Sequence, residues 1–93
     1  MKNPPSLSAH LHRIQARLSI MEDFAYKFRR LYPWEVDVNT PHVLFPATSA
    51  LELRDTFGSE GWTVSGTYFH KEVDGVEVRC LMPIHSKHPW EGA

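Results

Sequence analysis

Apolar residues recur at every third or fourth position from Leu7 onward: Leu7, Leu11, Ile14, Leu18, Met21, Ala25, Phe28 and Tyr32. The alternation of four- and three-residue steps is unbroken, which is a heptad seam with Leu7, Ile14, Met21 and Phe28 at one core position. A helix of that length spans about 38 Å. A compact chain of 93 residues has a radius of gyration of about 12 Å and is only about 32 Å across. The helix is therefore longer than the body it must pack on. The simplest resolution is a second copy of the chain, or a helical partner, lying along the seam.

The two halves of the helix differ. The first shows only the narrow seam, flanked by Ser8, His12, Arg13 and Gln15. The second adds Ile20, Phe24 and Leu31, which widens the apolar face. The second half is expected to dock on the chain's own sheet while the first projects towards a partner. Ser6 is the expected N-cap, and Pro33 stops the helix by disfavouring a helical Tyr32. The helix is thus placed at residues 6–32, after a lead-in at residues 1–5.

Beyond the Tyr32-Pro33-Trp34 elbow, Val36 and Val38 alternate with Glu35 and Asp37 as a short strand or extended piece. His42 to Phe45 reads as a buried strand ended by Pro46. Ser49 and Glu52 have capping-box spacing, so a second helix begins there, buries Leu53 and Phe57 and ends at Gly58. Residues 62–73 and 76–84 then read as two strands joined by Asp74-Gly75, a type I′ turn signal. That turn sets Val73 opposite Val76, Lys71 opposite Val78 and Phe69 opposite Cys80. The fold class is α+β, in the order α-β-α-β-β, with a small, mainly antiparallel sheet. A single domain spans residues 6–84 and a polar tail covers residues 85–93.

At 42% hydrophobic and 23% charged, the composition is that of a soluble globular domain. Residues 1–6 hold one lysine, two prolines and no apolar run, so no signal peptide is expected. No run approaches the ~18 residues of a membrane span. With Cys80 as its one cysteine, the chain reads as cytoplasmic. Charge is unevenly spread: residues 1–32 carry six cations against Glu22 and Asp23, and residues 33–93 carry four against nine acids. The helix is therefore at +4 and the rest at −5, so each complements the other or a partner.

Few constellations suggest chemistry. His70, Glu72, Glu77 and Arg79 share one face of the hairpin; the residue types suit general-base work, but with no nucleophile or oxyanion donor near them in sequence the pattern reads as a solvated sheet face. Cys80, His85 and His88 have sulfur and imidazole at a spacing that lacks the paired motif of zinc sites. No metal, cofactor or catalytic residue is assigned. Trp62, Val64, Tyr68 and Leu81 are expected on the outer sheet face, with Trp62, Tyr68 and Trp90 as candidate aromatic anchors.

The stretch from His42 to Met82, with its FGSEGWTVSGTYFHKEVDGVEVRCLMP core, resembles small orphan proteins of actinobacterial bacteriophages. The likeness lies in a short β-α-β-β unit with a G-W-x-V strand and a D-G-V hairpin. It implies a protein that binds and inhibits a host bacterial protein, and it transfers no catalytic residue.

The first reading is thus a non-enzymatic protein-binding module, homodimeric through Leu7, Leu11, Ile14, Leu18 and Met21 or engaging a helical host protein there. Arg13 and Arg17 would select an acidic flank on the partner. The alternative is a small nucleic-acid-binding regulator that uses the basic helix.

Overall fold

The computed structural model describes residues 5–83. They form α1 (Pro5–Lys27), β1 (Glu35–Asp37), β2 (His42–Phe45), α2 (Ala50–Phe57), β3 (Thr63–Ser65), β4 (Tyr68–Val73) and β5 (Val76–Leu81). The arrangement is α+β, with a five-stranded sheet in the order β1-β2-β5-β4-β3. The sheet is mixed: β2 and β5 run parallel, and every other pair is antiparallel.

The hairpin keeps the register its turn dictates. Asp74 and Gly75 both have positive φ, at 52° and 83°, which matches the right-handed twist of the flanking strands. Val73 faces Val76, Lys71 faces Val78 and Phe69 faces Cys80. The core then collects on one face of the sheet: Met21 and Phe24 of α1, Val43 and Phe45 of β2, and Ala50 and Leu53 of α2, over Phe69, Val76, Val78 and Cys80. Phe28 closes it from the side, with its ring 4.8 Å from both Phe24 and Phe57.

Four sequence expectations are corrected. The helix over residues 6–32 starts at Pro5, whose fixed φ suits a first helical position, and ends at Lys27. A tight turn follows, with the Leu31 N–H donating to the Phe28 carbonyl at 3.0 Å. The tightening lets Phe28 and Leu31 both reach the core, and Pro33 blocks further helix. Ser49 forms no side-chain cap, because a 3-10 turn at Ala47–Ser49 precedes α2 and supplies backbone partners instead. The segment read as one strand from Trp62 to Val73 is two, folded back at Gly66, whose φ is 62°. That fold pairs Val64 with Phe69, on the core side. Trp62 likewise packs edge-on against Phe69 at 5.1 Å and donates Nε1–H to the Gly58 carbonyl at 2.7 Å. Neither therefore lies on the outer face. Ile84 and the tail at residues 85–93 lie outside the described residues.

The molecule measures 60 × 27 × 21 Å, with a radius of gyration of 15.9 Å against the ~12 Å of a compact chain this long. The excess comes from α1, whose 23 residues reach about 34 Å. Only its C-terminal half lies on the body: Ile20 sits over the hairpin turn, and Lys27 pairs with Asp74 at 2.9 Å. No helix among the described residues is long and apolar enough to cross a membrane. Gly75 is a close point of this docking, since an added Cβ would stand 3.3 Å from Ile20 Cγ2. Gly75→Ala, at a positive φ, is expected to cost about 1–2 kcal/mol in urea unfolding. A loss below about 0.3 kcal/mol would mean that turn and helix yield freely there.

Candidate functional site

The projecting half of α1 carries the exposed part of the heptad seam. Leu7, Leu11 and Leu18 are 60%, 52% and 43% exposed, and Ile14 is half-buried. Met21, expected on the same contact surface, is 6% exposed and belongs to the core. The seam is thus split: its upper part faces solvent and its lower part is consumed by the chain's own fold. Apolar surface left in water costs about 25 cal/mol per Å², so this stripe leaves a contiguous unfavourable surface on the projecting half of α1. The helix beneath it, about twelve residues without support from the body, is itself marginal in isolation.

Where the stripe meets the body it opens into an apolar groove of about 420 Å³. One wall is α1, through Leu18, Met21 and Ala25. The other is the segment after the helix, through Leu31, Pro33, Val36 and Val38, and Val43 and Phe45 line it as well. Val36 pairs with Val43 and so shares its face, yet it is 58% exposed because β1 is an edge strand. Sequence patterning places Val36 and Val38 on a strand but gives no sign of the groove, which exists only where that strand passes α1.

The other expected contact residues scatter. Arg13 and Arg17 both lie on the projecting half of α1, and Arg13 Nε reaches back to the Ala9 carbonyl at 3.4 Å. Tyr68 lies on the outer sheet face under the Arg79 guanidinium, 5.2 Å from its ring centre. Trp62 is half-buried beside Phe69, with Lys71 Nζ 5.9 Å from its ring. These three groups form no common surface, and Trp90 lies outside the described residues.

The outer sheet face holds a connected polar network. Its strand rows are Asp37, His42, Glu77 and Glu72, then Glu35, Leu44, Arg79, His70 and Thr63, then Leu81, Tyr68 and Ser65. With Trp62 and Val64 on the other side, this face is more polar than the sequence suggested. His70 Nδ1 is 3.3 Å from Glu77 Oε1, and its Nε2 is 3.0 Å from Ser65 Oγ. The order hydroxyl, imidazole, carboxylate is that of nucleophilic catalysis. Sequence reading found no nucleophile near His70; the Gly66 turn brings Ser65 there from five residues away. Glu77, however, also accepts a hydrogen bond from Arg79 Nη2 at 2.8 Å. That bond holds the Glu77 carboxyl below its ordinary value and raises Arg79 in return. A carboxylate already matched by a guanidinium has less to offer an imidazolium, so the network reads as a half-buried polar cluster on the outer sheet face. Cys80 takes no part: burial pushes its thiol up to about 12, and it donates to the Pro46 carbonyl at 3.3 Å. No group of three or more metal-ligating side chains occurs among the described residues, and His85 and His88 lie outside them.

Glu77 links this network to pH. Its folded value lies below the ordinary 4.5, so the stability it contributes is present above about 4.5 and is lost as pH falls through the folded value. Glu77→Gln is expected to cost about 1 kcal/mol at neutral pH and to flatten the acid limb of the stability profile, read from urea midpoints. An acid limb identical to that of the parent would mean that the Glu77–Arg79 bond contributes nothing.

Comparison with protein-family models, with curated proteins and with solved structures finds no match to this chain.

Proposed function

We propose that this chain is a non-enzymatic protein-binding module that contacts its partners, and a second copy of itself, through the apolar stripe of α1. The observation that carries this reading is the row Leu7, Leu11 and Leu18, exposed on a helix that extends beyond its own body. Helix-in-groove and helix-on-helix recognition use anchors at this spacing. Arg13 and Arg17 flank the row and favour an acidic partner surface. The likeness of residues 42–82 to small proteins of actinobacterial phages suggests a host bacterial protein as target, with inhibition as the outcome.

The nucleic-acid reading rests on the same helix used as a basic stripe. It is weakened because Lys27 is engaged by Asp74, and because Glu22 and Asp23 interrupt the cations. A catalytic reading rests on Ser65, His70 and Glu77 and is weakened by Arg79.

Light scattering after size exclusion tests the stripe. The parent chain is expected at the mass of a dimer, and Leu11→Glu/Leu18→Glu at that of a folded monomer with unchanged sheet signal in circular dichroism. Dimer mass should barely respond to salt between about 50 and 500 mM, whereas phosphate-driven binding would weaken by orders of magnitude. A parent chain that stays monomeric would remove self-association from the proposal. Ser65 is expected to stay unmodified by a fluorophosphonate reagent for activated serines, and modification there would make the polar network an active site.

A further inference from the structure

We infer that the chain beyond Pro83 turns back over the end of α2 and covers the flank of the core at β3, with the Trp90 indole set against Trp62. Trp90 is then part of the chain's own packing, and partner contact is left to α1 whether or not the chain self-associates.

The surface to be covered is short and apolar. Trp62 lies edge-on against Phe69 and ties its Nε1–H to the Gly58 carbonyl, yet it is only half-buried. Val64 lies two residues further along the same face and is 49% exposed. Leu51, 36% exposed, and Arg54 fall with Gly58 on one side of α2 and its cap, at spacings of three and four residues. Arg54, Trp62 and Phe69 also make interactions beyond these, and all three border this one surface.

The chain leaves the sheet beside this surface. The Met82 N–H donates to the Thr67 carbonyl at 2.8 Å, next to the turn that joins β3 to β4. Pro83 follows and has no N–H to continue the pairing. It stands three residues, at most about 10 Å, beyond Cys80, which pairs with Phe69 about 5 Å across the sheet. The Phe69 backbone is thus within about 15 Å of Pro83, and the seven residues from Pro83 to Trp90 span up to about 23 Å. Residues 1–4 cannot supply the cover. They span about 14 Å at most, and α1 carries them about 20 Å away from Leu18, where it borders the body.

Chemistry fits the same occupant. Residues 84–93 hold Ile84, Pro89 and Trp90, and an aromatic side chain of this kind buries about 150–250 Å² when covered. The Arg54 guanidinium lies 3.3 Å from Asp55, and Lys71 Nζ lies 5.9 Å from the Trp62 ring, so two cations border the surface. Cations suit the face of an indole, and Glu91, the one acid of the segment, directly follows Trp90. Its one lysine, Lys87, comes three residues earlier, about 10 Å along an extended chain. A segment on a short tether acts at an effective concentration of about millimolar, which favours it over a separate protein.

Proton NMR of the full-length chain tests this, with Trp90→Phe to assign the indole. Nuclear Overhauser contacts are expected from the Trp90 indole to the Trp62 ring and to the Val64 methyl groups. Absence of both, or contacts to Val36 in the groove instead, would overturn the inference. A mixture of isotope-labelled and unlabelled chains should show none of these contacts between copies. Finding them there would put a second copy's segment on the surface, which overturns the inference while supporting self-association. Trp90→Ala is expected to raise the unfolding constant in urea about tenfold, with the native sheet signal unchanged in circular dichroism. A rise below about twofold would mean that Trp90 is not packed, and would overturn it too.

Discussion

The packing of Phe24 of α1, and of Phe28 in the turn that follows it, against Phe57 of α2 is the interaction on which the rest of the structure depends. The three rings lie 4.8 to 6.2 Å apart and join the two helices over the sheet. Aromatic pairs in such geometry contribute about 0.5–1.5 kcal/mol each beyond the area they bury. The Lys27–Asp74 ion pair nearby is 64% and 50% exposed and adds little by comparison. Apolar contact therefore decides where α1 docks, and the salt bridge follows.

That docking has two consequences. It ends the helix at Lys27, because Phe28 and Leu31 reach the core only from a tight turn. It also divides the heptad seam, drawing Met21 inwards and leaving Leu7, Leu11 and Leu18 in solvent. A repeat that reads as one uniform surface thus becomes two, a core face and a contact face, which meet at a groove walled by the edge strand β1. On the outer side of the sheet Glu77 meanwhile serves both Arg79 and His70, and Ser65 serves His70, while the buried Arg79 Nε has no hydrogen-bond partner among the described residues.

Some of this was readable in the residues. Asp74-Gly75 set the hairpin register, because a two-residue turn with two positive φ angles leaves no other pairing. The broad apolar face of the second half of α1 marked the docking half, since burial needs width. Other features were not readable. Gly66 looked like an interior strand residue, and only its positive φ reveals the turn that creates β3, sends Trp62 and Val64 to the core side and brings Ser65 to His70. Ser49 had the spacing of a cap but lost that role to a 3-10 turn that supplies backbone partners at lower cost. The groove had no sequence signature, as its walls come from segments whose proximity is a matter of sheet order.

By itself the sequence determined the local and periodic features: a helix too long for its body, the hairpin register, and the α+β class. Each follows from the 3.6- or two-residue periodicity of side chains or from the backbone limits of Gly and Pro, which act within a few residues. Tertiary structure alone decided the parallel pairing of β2 with β5, the burial of Met21, the groove and the Ser65–His70–Glu77–Arg79 network. These depend on which distant segments share the apolar face of one sheet, and that is set by total burial, not by local pattern.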